Sequence, residues 1–189
     1  PGGGSISAYV GALGVSLATM VANLSSHKKG WDDRWLKFSN HAEQGEACKN
    51  ELLRLVDADT AAFQKIMQAF ALPKATPEEK ASRTQAIQHA TRYAIEIPFA
   101  VMETAYKSME VIKAMVMEGN PNSVTDAGVG ALCARAAVIG AFMNVRINAA
   151  GYNDKTFTAD LIARGTTIQN KTIALEAEIL KLVDEKIGE

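Results

Sequence analysis

The 189-residue sequence has few cysteines and histidines and no excess of basic residues over acidic ones. Its two cysteines, Cys48 and Cys133, form no disulfide framework, and such sparse usage fits a reducing compartment such as the cytoplasm. The three histidines lack partners at metal-ligand spacing, so we expect no metal site. The net charge of −1 lacks the basic excess that is typical of nucleic-acid-binding proteins.

Alternating strand patterns of useful length are also absent, whereas helical patterns cover most of the chain. Turn signals separate five helices, at about residues 5–24, 33–70, 77–118, 123–150 and 155–186. Ser5 and Ser123 are expected to cap two of them, and Thr76 with Glu79 forms a capping box. The sequence therefore predicts an all-α fold, a bundle of about five helices, several of them long, in one domain over residues 1–189. Long helices joined by short turns leave helix faces that one bundle does not cover, so we expect a homo-oligomer.

The first predicted helix carries no charge over the twenty residues from Ser5 to Leu24, which is the length of a membrane span. Its serines, threonine and asparagine make it only modestly hydrophobic, and no basic residues precede it as in a signal peptide. We therefore expect a buried helix of a bundle with no membrane partner. Gly11 and Gly14 would let another backbone approach closely.

The second helix places a carboxylate on an apolar face. At 100° per residue, Asp59 falls inside one stripe, whereas Asp57 falls well outside it. That predicted stripe consists of Leu52, Val56, Phe63, Ile66 and Phe70. Burying a carboxylate there is costly unless it is paired, hydrogen-bonded or protonated. Asp59 is therefore a candidate for proton transfer, and the alternative is that it caps or bridges a neighbouring helix.

The fourth helix has a core stripe and, beside it, a stripe of small or polar residues. The core stripe is Val124, Ala127, Ala131, Ala134, Val138, Phe142 and Val145, and the second is Asp126, Gly130, Cys133, Ala137, Asn144 and Asn148. The second stripe could line a cavity for a polar ligand or simply allow close helix packing. On the opposite flank, Arg135 and Arg146 could hold carboxylates or form surface ion pairs. Cys133 is interpreted as a core residue and not as a nucleophile.

Two glycine-containing turns lead into helix amino ends. The run from Gly2 to Gly4 and the turn 119–123 both offer free amides that suit an anion, and a flexible arm is the alternative for the first. Inside the third helix, Pro98 has no N–H and leaves the carbonyl of Ala94 without its helical donor.

Several segments occur together in the order of a known family. They are PGGGS at 1–5, DTAAF at 59–63, LPK at 72–74, GNPNSVTDAGVGA at 119–131 and NVRIN at 144–148. With these segments the chain resembles the cyclodeaminase domain of the formiminotransferase-cyclodeaminase family, which also includes methenyltetrahydrofolate cyclohydrolases. The resemblance covers nearly the whole chain. It implies an all-α homodimer with a folate site near the dimer interface, and we expect the chain to be the carboxy-terminal part of a bifunctional protein with a transferase domain.

The resemblance also implies chemistry. A formimino group on a ring nitrogen of tetrahydrofolate is attacked by the neighbouring bridging nitrogen, ammonia leaves, and methenyltetrahydrofolate forms, as in histidine catabolism. Carboxylates can protonate the amine and stabilise the cationic carbon, so no tightly bound cofactor is needed beyond the folate substrate, with or without a polyglutamate tail. Hydrolysis of methenyltetrahydrofolate is the nearest alternative. A helical dimerisation module without catalysis is a further one.

On this interpretation the catalytic candidates are Asp59, Asp126 and Arg146, the last meeting a carboxylate of the substrate or of a catalytic aspartate. We expect the backbone amides of residues 2–5 to bind an anionic part of the folate, and the side chains of Asn122, Asn144 and Asn148 to hydrogen-bond the pteridine. Nine residues in all are candidates for binding substrate. These are Gly2, Gly3, Gly4, Ser5, Asn120, Asn122, Ser123, Asn144 and Asn148.

Overall fold

The structure is a computed structural model that describes residues 2–188, which leaves Pro1 of the first motif outside it. Five α-helices follow one another: α1 (Gly3–Ser26), α2 (Trp35–Phe70), α3 (Pro77–Glu118), α4 (Val124–Ala150) and α5 (Lys155–Ile187). A short 3-10 turn, Pro121–Ser123, precedes α4. No strand occurs within residues 2–188, so the all-α prediction is confirmed and the helix bounds agree within about two residues.

The capping predictions have different outcomes at different helices. At α3 the capping box is present, because Thr76 Oγ1 accepts from the N–H of Glu79 at 3.2 Å and Glu79 Oε2 accepts from the N–H of Thr76 at 3.1 Å. At α1 the prediction was wrong: the cap residue is Gly2, and Ser5 lies one turn inside the helix. Ser123 does precede α4, but its side chain makes no capping hydrogen bond.

Helix α1 lies between α2 and α4 and packs unusually close to both. On the α2 side, a Cβ placed at Gly45 would collide with Thr19 Oγ1, and one at Gly11 would lie 3.3 Å from Leu52. On the α4 side, a Cβ at Gly14 would lie 2.7 Å from the Cβ of Cys133 and 2.8 Å from the backbone oxygen of Gly130. The glycines therefore do what the sequence predicts and allow close backbone approach.

Helices α1 and α4 are also long and apolar enough to span a bilayer by length and composition alone. Within the bundle, 61% of the most apolar window of α1 and 50% of that of α4 is buried. Core helices of soluble proteins have the same composition, and α1 takes such a place between its neighbours.

Two hydrophobic clusters fill the bundle. One surrounds Leu52, Leu55 and Met102, and the other surrounds Phe38, Met109 and Ile112. The predicted core stripe of α4 is buried along its whole length. On α5, four apolar residues repeat every seven positions and pack in or against the two clusters: Leu161, Ile168, Leu175 and Leu182.

The predicted stripe of α2 is only partly correct. Leu52 is fully buried and Val56 and Ile66 are half-buried, but Phe63 is 65% exposed and Phe70 is 51% exposed. The reason is register: α1 begins at Gly3 beside Asp59, so it does not cover the turns of α2 that follow. The apolar residues in the turns of α2 after Asp59 therefore stay partly exposed, because α1 covers only the earlier turns.

Nine large apolar side chains are exposed on the outer surfaces of the adjacent helices α1 and α4. We call this surface the α1/α4 face, and it consists of Ile6, Tyr9, Leu13, Met20 and Leu24 on α1 with Val129, Leu132, Met143 and Ile147 on α4. Helix α1 contains no charged residue. Side chains of this kind are individually common on surfaces, but a contiguous apolar face marks an interaction surface.

We expect Gly14→Ala to destabilise the fold by about 1–3 kcal/mol, because the added methyl meets Cys133 and the fixed backbone of Gly130. Urea unfolding followed by circular dichroism measures the change. Gly151→Ala is the matched control, since a Cβ there meets nothing within 4 Å and its φ of −86° suits alanine. Equal midpoints for the two variants would contradict the close packing of α1 on α4.

Candidate functional site

A cavity of about 530 Å³ opens at the amino end of α1, where this helix meets α2 and α4. Pockets of this size commonly hold small organic ligands. Its lining combines backbone, polar and apolar groups: Gly2, Gly3, Gly4, Asp59, Thr60, Ala62, Phe63, Gln64, Ile66, Ala94, Asn144 and Asn148. Six of the predicted site residues are thus brought together from three segments of the chain.

The carboxylate of Asp59 is fixed at one wall of the cavity. Ser5 Oγ donates a hydrogen bond to Asp59 Oδ2 at 2.6 Å and lies 3.4 Å from Thr60 Oγ1. The other carboxylate oxygen touches Gly4, where a Cβ would collide with Asp59 Oδ1. Ser5 therefore acts on the cavity through Asp59, and the absence of a side chain at Gly4 makes room for the carboxylate.

The floor of the cavity is the start of α1. In the first turn of a helix the backbone N–H groups have no carbonyl partner within the helix, and the helix dipole adds positive potential there. Gly2, Gly3 and Gly4 all line the cavity, and Gly2 and Gly3 are exposed. This arrangement suits an anionic or carbonyl group of a ligand, as the sequence predicts for the glycine run.

Two asparagines of α4 form the facing wall. Asn144 Nδ2 donates to the backbone oxygen of Gly140 at 2.9 Å and lies against Gly3. Asn148 Nδ2 donates to the backbone oxygen of Ala94 at 2.8 Å, and Ala94 O is the carbonyl that Pro98 deprives of its helical donor. In both residues the amide nitrogen faces a carbonyl, so Oδ1 is left as an acceptor for other groups.

The stripe of small residues on α4 thus divides into two parts. Near its end, Asn144 and Asn148 line the cavity, but Gly130, Cys133 and Ala137 pack against α1. Burial raises the pKa of the Cys133 thiol and, in the core, that of Cys48. A raised pKa lowers the fraction of reactive thiolate, which agrees with Cys133 as a packing residue.

Four predicted site residues lie at the opposite end of the bundle: Asn120, Asn122, Ser123 and Asp126. The backbone N–H of Asn120 donates to Ser25 Oγ at 2.8 Å, at the carboxyl end of α1, and the Asn120 side chain accepts from the N–H of Asn122. Asp126 is half-buried in the first turn of α4, 18 residues before Asn144, which is about 27 Å along a helix. Within one chain, Asp126 therefore does not meet Asp59.

Arg146 does not line the cavity either. It lies two residues from Asn144 and from Asn148, a rotation of about 200° along the helix, so it projects from the other side of α4. Its guanidinium lies over the ring of Phe142 at 5.0 Å and is exposed. Arg135 is 3.9 Å from Glu176 of α5, which agrees with the alternative of an ion pair.

Six residues of the cavity lining are not among the predicted site residues: Thr60, Ala62, Phe63, Gln64, Ile66 and Ala94. The spacing of Phe63 matches the apolar stripe of α2 and predicts a core position, whereas its exposed ring borders the cavity. Four of the six lie within five residues of Asp59, and three of these, Thr60, Ala62 and Phe63, belong to the DTAAF segment, which was the available signal. Within residues 2–188, no three His, Cys, Asp or Glu side chains are grouped as metal ligands would be.

Comparison with known proteins agrees with the motifs. The family model described as formiminotransferase-cyclodeaminase matches residues 1–166. The chain belongs to this family. The structure is similar to the crystal structure of a formiminotetrahydrofolate cyclodeaminase from Thermotoga maritima, with a TM-score of 0.78 and 26% identity over 98% of this chain and 87% of that one. The resemblance that the sequence motifs indicate is thereby confirmed.

Two relatives of similar identity are named for different activities and differ in length. A methenyltetrahydrofolate cyclohydrolase from Methylorubrum extorquens is 33% identical over the whole of this chain and 90% of its own length. A formimidoyltransferase-cyclodeaminase from Gallus gallus is 32% identical over 98% of this chain, but the match covers 34% of its own length. The chain thus spans about a third of the chicken relative and nearly all of the bacterial one.

Proposed function

We propose that the cavity at the amino end of α1 binds a reduced folate and catalyses chemistry at its one-carbon unit, with deamination of formiminotetrahydrofolate as the leading reaction. The observation that carries this proposal is the Asp59 carboxylate, held by Ser5 beside a helix amino end and opposite two asparagines. The family membership and the named activities of the relatives point to the same substrate class.

In the leading reaction the residues have separate tasks. The bridging nitrogen of the folate forms a bond to the formimino carbon, and the departing nitrogen must gain protons before the carbon–nitrogen bond breaks and ammonia leaves. Asp59 is the group within the cavity that can pass a proton to the leaving amine and stabilise the cationic methenyl product. Asn144 and Asn148 offer oxygen acceptors to the N–H groups of the pteridine, and the exposed ring of Phe63 offers an apolar surface.

Hydrolysis of methenyltetrahydrofolate is the second candidate. The similarity to the bacterial cyclohydrolase supports this candidate, because the match covers 90% of that protein's length. In that reaction water attacks the methenyl carbon, the ring opens, and Asp59 would accept a proton from the water instead of giving one to an amine. The same cavity therefore serves both reactions, and the substrate decides between them. A cytoplasmic location and a transferase domain ahead of the chain stay predictions.

The proposed activity is tested by absorbance in the methenyltetrahydrofolate band. With formiminotetrahydrofolate we expect the band to grow while ammonia is released, because ring closure forms the conjugated methenyl product. With methenyltetrahydrofolate, enzyme-dependent loss of the band faster than the spontaneous reaction identifies the cyclohydrolase. If the folded protein converts neither substrate, the result contradicts the proposed function and favours the alternative of a dimerisation module without catalysis.

Asp59→Asn is expected to lower kcat by roughly 100- to 10,000-fold, the usual contribution of a group that transfers a proton. The fold should persist, because the amide oxygen can still accept from Ser5 Oγ. Asp57→Asn is the matched control: Asp57 is exposed, lies on the same helix and does not line the cavity. Steady-state kinetics with either folate substrate measures both variants. Unchanged kcat for Asp59→Asn would remove Asp59 from the mechanism.

The proposal includes a homodimer, paired through the α1/α4 face. Two adjacent helices, about 36 Å long and together about 20 Å across, present roughly 700 Å², close to the area that one partner contributes to a stable interface. The lack of charge on α1 favours a second copy of the chain, because a two-fold axis brings equal side chains near each other. Antiparallel pairing of the two faces would bring Asp126 of one chain towards the cavity of the other.

Leu13→Asp should dissociate the dimer, because it places a charge in the middle of the α1/α4 face. Leu53→Asp is the control, since Leu53 is similarly exposed (40% against 48%) but lies on α2, outside this face. Sedimentation equilibrium gives the mass of each variant. A monomeric wild-type chain would contradict the dimer.

Heterodimers test whether the cavity takes Asp126 from the partner. A heterodimer of Asp59→Asn with Asp126→Asn chains keeps half of the wild-type activity if each site combines the two aspartates from different chains. It has none if both aspartates act within one chain. Differently tagged chains that are co-expressed and purified over both tags supply this species.

A further inference from the structure

Pro98 creates an unusual acceptor in the middle of α3. The helix continues through the proline, but the ring nitrogen carries no hydrogen, so the carbonyl of Ala94 one turn earlier has no donor in its own helix. Pro98 and Ala94 are both buried, with Ala94 5% exposed. A buried carbonyl without a partner is costly, so an outside donor is needed at this position.

Asn148 of α4 is that donor. Its Nδ2 lies 2.8 Å from Ala94 O, and both residues line the cavity at the amino end of α1. The hydrogen bond has two consequences. It joins α4 to α3 beside the cavity, and it decides which way the amide faces, because the nitrogen must point to the carbonyl and Oδ1 is then left as the acceptor.

We propose that Pro98 is a positioning residue of the site, acting through the carbonyl of Ala94 on the amide of Asn148. Building on the proposed function, the oriented Oδ1 of Asn148 accepts a hydrogen bond from the amino or ring N–H edge of the pteridine. Pro98 itself touches no ligand. Its contribution is a carbonyl that is free to hold one cavity side chain in one orientation.

Asn144 provides a contrast on the same helix face. Its Nδ2 donates to Gly140 O at 2.9 Å, but that carbonyl belongs to an uninterrupted part of α4 and has the N–H of residue 144 as its ordinary helical donor. The orientation of Asn144 therefore does not depend on a proline. Its hydrogen bond adds to a carbonyl that is already satisfied.

The first test is a double-mutant cycle on unfolding in urea. Asn148→Ala should raise the unfolding equilibrium constant roughly 10-fold in the wild-type background, because it leaves Ala94 O unpaired. In the Pro98→Ala background the helix supplies its own N–H to that carbonyl, so the same change should cost less than 3-fold. Asn144→Ala is the control and should cost the same in both backgrounds. An equal cost of Asn148→Ala in both backgrounds overturns the tether between α3 and α4.

The second test measures ligand orientation through binding. Calorimetry with 5-formyltetrahydrofolate should give a Kd at least 3-fold higher for Pro98→Ala than for the wild type. An unchanged Kd overturns the positioning role of Pro98. A wild-type protein that does not bind this folate contradicts the proposed function and the ligand part of the inference, whereas the unfolding cycle still decides the tether.

Discussion

The close approach of α1 to both α2 and α4 is the constraint on which the rest of the structure depends. Glycines on all three helices remove the side chains that would hold the backbones apart, and an alanine at Gly14 already meets fixed backbone atoms. Because α1 is held between its neighbours, its first turn is brought level with Asp59 of α2 and Asn144 of α4. The cavity is therefore a consequence of helix packing.

Once the helices are in register, the cavity acquires its polarity from their backbones. The amino end of α1 provides N–H groups that have no carbonyl partner within the helix, and the carbonyls of Gly140 and Ala94 each accept a hydrogen bond from an asparagine Nδ2. Ser5 holds the carboxylate. One wall thus offers oxygen acceptors and the floor offers donors, a combination that suits the amino-pyrimidinone edge and the anionic groups of the folate that we propose as the substrate. Electrostatic preorganisation of this kind costs little reorganisation when charge develops on the ligand.

The family and half of the cavity were predictable because they are local in sequence. The motifs at 1–5, 59–63 and 144–148 each place a site residue on one helix turn, and the structure brings them together. The motif at 119–131 is as distinctive, but it lies at the amino end of α4. Its Asp126 is about 27 Å along the helix from Asn144, which lines the cavity. Periodicity also failed at Phe63, since a helical stripe shows which residues share a face but not whether a neighbour covers that face.

The sequence by itself determined the helices, their bounds and the candidates Asp59, Asn144 and Asn148, since helical period, caps and prolines act over a few residues. Tertiary structure decided what each residue faces. Ser5, which the sequence predicts to be a helix cap, donates a hydrogen bond to Asp59, and Phe63 is exposed at the cavity. Arg146 lies outside the cavity, and Asn148 donates to the carbonyl that Pro98 leaves without a helical donor. These outcomes depend on the register between helices that are distant in sequence, and register is set by the glycine contacts of α1 and not by any local pattern.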